Sequence, residues 1–581
     1  MERLESKNIN GNIYYYYSKW AWQDGRCRRI WQKYLGKAKN IASAVEGTGP
    51  TPLYAEVFQW GLPTVLWKEC TTANITSITD HLSPKRNQGL TVGEYLSIAA
   101  INRAISPASK RSMWEWFSQT VLLRHFPSAT PAALSSQRFW DHMDKIDGDK
   151  SQAIWRNILT DVVKREGIDL SSVSYDGTNF YTFIDTFNTK CSIAKRGKNK
   201  QGRNNLRQIS YALFCSADCH IPLYYDIYEG NRNDAKQFPV MLEQFQNFLE
   251  DIAKTTSQAP SCQAPQVTLV FDKGNNSADN FAMLDSWNLS YVGSVKLEEH
   301  KELALISNSD DRFVTCNKGD GLEEKLEGTK SFRVKKIIYG KERILVVSYN
   351  QNLFNSQFLT LQNDMEKAIE KLSLKRLWLR DRANGLIKGG KVPTIESMEK
   401  QCQEILCRQY LKGLIKISLK EDTHGMVRLE YSIDSHALSE LSETYLGKNI
   451  IITNREDWDD PRIITAYRSQ FIIENVFKEM KDRTTGSWWP LHHWTDSKIR
   501  VHALYCTIAL LLRALMHRRI SSRGVNLSMK RVLKELDDIR EVVNIYPKTH
   551  GKRQKKQPEQ VVLTKTSQVQ QKLIEIFDIK K

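Results

Sequence analysis

The chain has few of the features that mark a secreted or membrane protein. Its first ten residues, MERLESKNIN, contain no apolar segment of the kind that a secretion signal requires. The longest apolar run, at residues 503–515, contains Arg513 and is shorter than the roughly 20 residues that cross a bilayer. These absences predict a cytoplasmic protein with no membrane partner.

The chain also lacks the cysteine and histidine spacing of a zinc site and the sequence motifs of common hydrolases. Cys215, Cys219 and His220 form the one cluster that resembles a metal site, and no second Cys/His pair follows at zinc-finger spacing. The ten cysteines are therefore predicted to be buried, reduced thiols. No Gly-x-Ser-x-Gly, P-loop or His-Glu-x-x-His pattern supports a hydrolase that acts outside nucleic acids.

Length and positive charge are what the chain does have. Its 581 residues are more than a single domain with one hydrophobic core usually contains, which predicts two to four domains. Lysine and arginine number 84 against 66 acidic residues, a formal net charge of +18. Such a balance favours a polyanionic partner, because each neutralised phosphate releases condensed counterions.

The N-terminal part, residues 1–165, is predicted to be a DNA-binding domain made of a β-hairpin followed by helices. Residues 10–37 indicate two strands around an Asp24-Gly25 turn, either an aromatic hairpin that packs a small core or a basic hairpin that touches DNA phosphates. Thr91 with Glu94 predicts a capping box at the start of a helix that Ser106-Pro107 ends. Two further helices are predicted at Ser109–Thr120 and Ser135–Ile146.

Residues 166–300 have the pattern of a mixed α/β domain. The strands are predicted at Ser172–Tyr175, Tyr181–Ile184, Ile209–Phe214, Ile221–Ile227, Val267–Phe271 and Tyr291–Val295, and the helices at Phe238–Leu249 and Ser277–Trp287.

Residues 301–455 lack strand–helix alternation and are predicted to be a β-rich insertion domain. It would hold strands at Ser331–Ile338, Arg343–Ser348, Gly413–Leu419 and Met426–Ile433, with one charged helix around Gln357–Leu377. The α/β pattern resumes over residues 456–520. Residues 521–581 are predicted to be a C-terminal region whose polar, basic tail after about Pro547 is disordered.

Two aspartates directly follow predicted strands. Asp176 precedes Gly177, and Asp272 ends the apolar run at Val267–Phe271. Each has a simpler interpretation as a turn residue, since Asp and Gly dominate turns. Carboxylates at strand ends are also a common arrangement in α/β active sites, where loops open onto solvent.

A third carboxylate lies on the helix predicted near residues 461–482. On a wheel of about 100° per residue, Glu474 falls among Ile463, Tyr467 and Phe477, so it is predicted to point into the protein. An inward carboxylate must be paired, protonated or metal-bound. An ion pair with Lys481 is the structural alternative. With Asp176 and Asp272, Glu474 would form a hard oxygen site for two Mg²⁺ or Mn²⁺ ions, as phosphoryl transfer requires.

At these residues the chain resembles bacterial and archaeal insertion-sequence transposases of the DDE type, in the subclass with a β-rich insertion. The last catalytic helix of that subclass carries a Tyr-x2-Arg-x3-Glu-x6-Lys signature, which Tyr467, Glu474 and Lys481 match. Gln470 stands at the arginine position, and Arg468 is nearby. The two family aspartates match Asp176 and Asp272. The segments 204–208 and 230–234 look like further landmarks.

The resemblance implies an RNase-H-like catalytic core, interrupted by the insertion, that binds two Mg²⁺ ions at Asp176, Asp272 and Glu474. It implies strand cleavage at the ends of an insertion sequence, then attack of the freed 3′-hydroxyl on target DNA. The partners would be double-stranded DNA, as terminal inverted repeats and target, and a second copy in a homodimer at the nucleoid.

Five residues are expected to contact DNA by the same resemblance: Tyr467, Lys481, Gln470 and Arg468 near the site, and Trp378 by stacking on a flipped base. Two other functions share these residues. One is a nuclease of the same fold without strand transfer, and the other is a DNA-binding derivative without catalysis.

Overall fold

The computed structural model describes residues 1–23, 26–45, 51–86, 88–198, 202–217, 219–256, 267–316, 326–483, 485–547 and 557–580. The chain divides into two compact units. Unit 1 comprises Met1–Lys68, Ser112–Pro131 and Arg519–Lys581, and unit 2 comprises Glu69–Arg111 and Ala132–Arg518.

Strands and helices are numbered along the chain. The strands are β1 (Glu2–Ile9), β2 (Asn12–Gln23), β3 (Arg26–Gly36), β4 (Tyr54–Gln59), β5 (Ser172–Tyr181), β6 (Lys195–Arg196), β7 (Arg207–Ser216), β8 (Pro222–Glu229), β9 (Thr268–Phe271), β10 (Ser290–Val295), β11 (Val314–Thr315), β12 (Thr329–Ile338), β13 (Lys341–Asn350), β14 (Ile415–Glu421), β15 (Val427–Ile433), β16 (Lys448–Thr453), β17 (Arg540–Ile545) and β18 (Glu559–Leu563). The helices are α1 (Ala38–Val45), α2 (Gly61–Thr72), α3 (Ile75–Leu82), α4 (Val92–Ile105), α5 (Met113–Phe117), α6 (Ser136–Met143), α7 (Gly148–Glu166), α8 (Asp234–Thr256), α9 (Ala278–Ser286), α10 (Lys301–Ala304), α11 (Gln351–Ala383), α12 (Ile395–Ile405), α13 (Leu411–Leu414), α14 (Ser435–Thr444), α15 (Asp460–Arg468), α16 (Gln470–Lys481), α17 (Asp496–Ser521), α18 (Met529–Asp537) and α19 (Gln568–Phe577).

Unit 1 contains the predicted N-terminal hairpin. β2 and β3 pair antiparallel, and β1, which the sequence pattern did not predict, pairs with β2. The turn residues 24 and 25 lie outside the described residues. The aromatic side chains contact one another on the surface, as Tyr17 does with Trp31, and Trp22 is 76% exposed, so the sheet buries little of them.

The C-terminal region differs from its prediction. β17 pairs with both β4 and β18, and α19 follows. The prediction of a disordered polar tail is therefore wrong for residues 557–580, whose apolar Val561, Leu573 and Phe577 give them a packing face. Residues 548–556 of that predicted tail lie outside the described residues.

Unit 2 is built on one large mixed sheet. Its first five long strands lie in the order β8–β7–β5–β9–β10. β7 and β8 run antiparallel to their neighbours, whereas β9 is parallel to both β5 and β10. These strands agree with the predicted ones to within a few residues. The exception is Tyr181–Ile184, because β5 continues through Asp176-Gly177 to Tyr181.

Helices cover both faces of this sheet. On one face Tyr175 of β5 contacts Phe238 of α8. On the other face Tyr211 of β7 contacts Phe477 of α16 and hydrogen-bonds Thr507 of α17. Because side chains alternate along a strand, Asp176 lies on the face that α16 covers, opposite to Tyr175.

The region predicted as a β-rich domain at residues 301–455 is organised differently. β12, β13 and β16 extend the large sheet beyond β10. The separate module is residues 351–446, in which the 33-residue α11 and three other helices pack with the β14–β15 hairpin around a shared core. The prediction of a mainly β insertion is wrong. Leu361, Met365 and Leu372 give α11 a helical apolar stripe that its many charges obscured.

The apolar run at residues 503–515 lies in α17. This 26-residue helix is long and apolar enough to cross a membrane, but 94% of its most apolar window is buried inside the protein. Upstream, α4 begins with the predicted Thr91–Glu94 capping box and ends at Ile105 before Pro107. The helix predicted at Ser135–Ile146 is α6, which Ser135 caps and which ends at Met143. Among the cysteines that the structure describes, Cys27 and Cys407 are exposed, contrary to the prediction of buried thiols.

Candidate active site

The register of two parallel strands brings Asp176 and Asp272 together. β5 and β9 pair with Ser174 opposite Val270 and Tyr175 opposite Phe271. One residue further, Asp176 lies opposite Asp272, whose backbone is still extended. Neighbouring strands are about 5 Å apart, so the two carboxylates lie side by side on the α16 face. Asp176 is thus inside a strand and not at its end, which corrects the sequence prediction.

Glu474 does not point into the protein. Its side chain is 58% exposed and lies 3.9 Å from the Lys478 amine. The helix predicted as continuous is interrupted at Ser469, so Ile463 and Tyr467 belong to α15 and do not share a wheel with Glu474.

Within α16 the buried residues form one face, whose centre lies roughly 110° from Glu474. They are Gln470, Ile472, Ile473, Val476, Phe477 and Met480. Glu474 therefore stands at the solvent side of a helix that packs on β5.

Lys481 connects the end of α16 to the aspartate strand. Its amine donates a hydrogen bond to the Thr178 hydroxyl over 2.5 Å. Thr178 is two residues after Asp176 and so lies on the same face of β5. The Lys481 amine also lies 5.5 Å from the centre of the Phe180 ring. These contacts place a cation next to the carboxylate pair.

Tyr467 lies near the carboxylates of Asp272 and Glu474. Burial raises the pKa of its phenol, and the negative charges of Asp272 and Glu474 raise it further. A hydrogen bond with Ser294 acts in the opposite direction and lowers this pKa in part.

The three carboxylates do not form a complete metal site in this conformation. Within the described ranges of the chain, no three His, Cys, Asp or Glu side chains are close enough together to hold a metal ion. Asp176 and Asp272 offer adjacent hard oxygen donors of the kind that Mg²⁺ prefers. Glu474 is on the adjoining helix, beside Lys478.

Three of the residues predicted to bind DNA have other contacts. Gln470 is 7% exposed, so its side chain does not face a DNA-binding surface. Arg468 is half-buried and donates a hydrogen bond to Thr329 of β12 over 2.9 Å. Trp378 packs against the core of the inserted module, with Lys375 and Arg382 over its ring. For these three the structure favours packing.

Tyr228 and Asp234 lie on the opposite face of β5 from Asp176, and the sequence pattern did not predict them as neighbours of the site. The Tyr228 hydroxyl donates to Asp234 over 3.5 Å, and both lie against Gly177 on the α8 face. Burial raises the pKa of Tyr228, and the charges of Asp234 and Asp176 add to it. The sequence signal for Asp234 was its place in the landmark segment 230–234, directly at the start of α8.

Arg207, in the predicted landmark at residues 204–208, also has a structural role. Its guanidinium donates to the main-chain carbonyls of four residues before it. It thereby fastens the segment that leads from β5 into β7. The signal for this role was a single arginine in a basic stretch, which has no distinguishing pattern.

Comparison with known proteins identifies the region that holds the site. A family model described as "Transposase DDE domain" matches residues 171–512, more than half of the chain, and this range contains Asp176, Asp272 and Glu474. No curated protein matches the chain. Among solved structures, a cryo-EM structure of a piggyBac transposase synaptic complex with hairpin DNA aligns with 82% of this chain and 79% of its own. Its sequence identity is 9% and its TM-score 0.32, too low to establish a shared fold.

Proposed function

Since this chain belongs to the transposase DDE domain family, we propose that it is an insertion-sequence transposase that cuts DNA at the ends of its element and joins them to target DNA. The observation that carries the proposal is the pairing of β5 with β9, which sets Asp176 beside Asp272. We further assign an RNase-H-like core. The strand order β8–β7–β5–β9–β10, in which β7 runs opposite to the other four strands, supports that assignment.

Asp176 and Asp272 would hold the divalent cations, two Mg²⁺ or Mn²⁺, and Glu474 would complete the donor set from α16. Bound cations supply charge neutralisation at the phosphate and activation of the attacking oxygen. Glu474 is exposed and free of the hydrophobic core, so it can exchange Lys478 for another partner without unpacking α16.

Residues of this chain would orient the DNA around the carboxylates. Lys481, held by Thr178 beside Asp176, would contact a phosphate at the reacting strand. The Tyr467 hydroxyl would donate to a neighbouring phosphate or sugar. Tyr467 also lines a cavity of about 490 Å³ whose wall includes Lys273 and Arg408. Glu298 and Asp364 also line this cavity, so Lys273 and Arg408 are the groups there that would contact a DNA phosphate.

The partners follow from the same reaction. A transposase that joins two element ends must hold both, so we propose a homodimer on double-stranded DNA, with the terminal inverted repeats as its specific sites. The net charge of +18 supports a polyanionic partner.

Variants of the three carboxylates test the proposal. Asp176→Asn, Asp272→Asn and Glu474→Gln should each lower Mg²⁺-dependent cleavage of an element-end oligonucleotide by at least about a thousandfold. Their thermal stability should stay close to that of the wild type. Matched controls are Asp279→Asn, exposed at the start of α9, and Glu250→Gln, about 24 Å along α8 from the end that lies near Gly177.

The products separate the alternatives. Cleaved ends joined to a target plasmid support transposition, whereas cleavage without joined product supports a nuclease. If all three variants retain metal-dependent cleavage, the three carboxylates are not required for the reaction. A wild type that binds element ends but never cuts them would point to a DNA-binding derivative.

A further inference from the structure

A second cavity in unit 2 is lined by positive charge and lies outside the carboxylate site. It has a volume of about 520 Å³ and is here called the basic pocket. Its cationic and imidazole side chains are Arg103, Lys110, Arg111, His492, His493 and Lys498. Asp144, at an exposed position, is the one carboxylate among the described residues that line it.

Lys110 is the unusual member of this set. The residue is 4% exposed, and its amine has no hydrogen-bond partner within the described part of the chain. It lies over the rings of Phe139, at 4.7 Å, and Tyr505, at 4.3 Å. Ring faces compensate a buried ammonium only in part, because its lost hydration is far larger than a cation–π contact. Burial therefore lowers the pKa of the Lys110 amine well below its ordinary value, and an anion beside the amine would offset that cost.

The groups around Lys110 do not supply that anion. Arg103 is itself cationic and donates to the carbonyls of Trp489, over 2.7 Å, and Pro490, over 3.1 Å. Burial, and then the charges of Lys110 and Arg103, hold the pKa of His493 well below its usual range. His493 is thus neutral, and the basic side chains of Arg103, Lys110, Arg111 and Lys498 converge on a cavity that no buried carboxylate lines among the described residues.

His502, on α17, is accounted for by its hydrogen bonds. Its Nε2 bonds the Trp488 carbonyl over 2.9 Å, so that nitrogen carries the proton. Its Nδ1 therefore accepts from the Tyr505 hydroxyl, over 2.6 Å. His502 is a neutral link between the loop and the helix, and it offers no negative charge to Lys110.

We propose that the basic pocket binds a phosphate group, with Lys110, Arg111 and Lys498 as its cationic partners. Tetrahedral oxyanions suit such a set, since charge-assisted hydrogen bonds from lysine and arginine are their usual ligands. The pocket is also lined by the Trp140 and Trp494 rings, and aromatic rings beside cations are typical of a groove that holds a nucleic-acid strand. The phosphate is thus assigned to DNA, an assignment that rests on the proposed function, whereas the phosphate site itself does not.

The basic pocket shares a wall with the loop that follows α16. Arg103 fastens Trp489 and Pro490, and the Trp489 ring contacts Tyr181 at the end of β5 with ring centres 4.9 Å apart. A phosphate held by Lys110, Arg111 and Lys498 would therefore lie in the same cavity as Arg103, the cation that holds the loop after α16. The pocket is a second DNA contact that bears on the position of α16.

Thermal unfolding of the full chain in phosphate and in chloride, at matched ionic strength, tests the site. Phosphate should raise the Tm of the wild type, because a ligand that binds the native state stabilises it. Lys110→Met should abolish that rise and weaken phosphate binding, measured by calorimetry, by about tenfold or more. Lys371→Met, an exposed lysine of α11, is the matched control and should keep the full response.

Several results would overturn the phosphate site. They are a wild type whose Tm is the same in phosphate and chloride, and a Lys110→Met variant that responds like the wild type. If Lys110→Met does not fold, Lys498→Met carries the same expectation, since its amine lies at the Trp140 ring and not in the core. A Lys498→Met variant with unchanged phosphate affinity then counts against the site.

Competition identifies the source of the phosphate. If it belongs to DNA, inorganic phosphate should displace a labelled single-stranded oligonucleotide from the wild type and have less effect on Lys110→Met. Binding of phosphate without displacement would assign the site to a free phosphate or nucleotide. The Asp176→Asn variant should retain the phosphate response even though it fails to cut DNA, so a failure of this inference is distinguishable from a failure of the proposed function.

Discussion

At the scale of single residues, the candidate site depends on how one lysine is held. Lys481 is the last residue of α16, where a long side chain has many rotamers to choose from. The Thr178 hydroxyl accepts its hydrogen bond and fixes the amine on the Asp176 face of β5. Thr178 itself is 7% exposed and would not touch DNA. We propose that it is a positioning residue that acts through Lys481.

Thr178→Val is expected to lower activity with little change in stability. Valine keeps the shape of threonine and removes the hydroxyl, so Lys481 loses the partner that orients it. A hydrogen bond to a charged group contributes about 1.5–3 kcal/mol, which corresponds to a loss of roughly tenfold or more in kcat/KM for end cleavage. Steady-state cleavage assays and thermal unfolding measure the two effects.

The control for Thr178→Val is Thr315→Val, the same change at an exposed position of β11. Restoration by Thr178→Ser, which keeps the hydroxyl, would assign the loss to the hydrogen bond. Equal activity of Thr178→Val and the wild type would show that Lys481 needs no such support.

At the scale of elements, strands were easier to predict than helix faces. Val267–Phe271 and Tyr291–Val295 are short apolar runs between polar turns. Runs of this length and composition are typical of buried strands and are too short for a helix. The register of β5 with β9, which places Asp176 beside Asp272, depends on pairing between segments 272 − 176 = 96 residues apart and has no local signal. The prediction that Glu474 points into the protein was wrong because it assumed one continuous helix. Two helices meet at Ser469, and each packs against different partners.

The Gly230 turn gives an element-scale prediction. A Cβ atom at Gly230 would lie 1.9 Å from the Gln208 carbonyl oxygen, which is main chain and cannot move aside. Gly230→Ala should therefore separate β8 from β7 near the start of α8 and lower the free energy of unfolding by about 2 kcal/mol or more. Denaturant unfolding measures this change.

Gly413→Ala is the matched control for the turn. Gly413 lies in α13 with no atom near its added Cβ, so alanine should be neutral or slightly stabilising there. A Gly230→Ala variant as stable as Gly413→Ala would mean that the β8–α8 turn tolerates a side chain and that the backbone contact is relieved without cost.

At the scale of the whole molecule, the inserted module enters and leaves the sheet at one point, and outside the sheet Asn308 donates hydrogen bonds to main-chain carbonyls near its end. It leaves β13 at Asn350 and returns to β16 at Gly447, and the Asn350 amide donates to the Gly447 carbonyl over 2.9 Å. Tyr349 pairs with Lys448 across the two strands. The module has its own core, which includes Leu361, Leu372 and Leu414. The sheet would thus be continuous without it.

Removal of residues 351–446 should leave a folded protein. The deletion joins Asn350 to Gly447, and Asn-Gly is the preferred two-residue loop between antiparallel strands. Circular dichroism should show a single cooperative unfolding transition, and the module made alone should fold around its own core. Removal of residues 384–446 is the contrasting control. It leaves the apolar stripe of α11 without the residues that cover it, so this deletion should cause aggregation. A full deletion that aggregates equally would show that the sheet needs the module.

The distance along the chain between the carboxylates has a consequence for synthesis. Glu474 follows Asp272 by 474 − 272 = 202 residues, and a ribosome adds about 5–20 residues per second. A nascent chain therefore carries both aspartates for about 10–40 s before the glutamate helix is made. Until then β5 has no α16 to cover it, and a message broken within that interval yields a product with two carboxylates and no third. On the proposed mechanism, the protein would become able to cut DNA only near the end of its own translation.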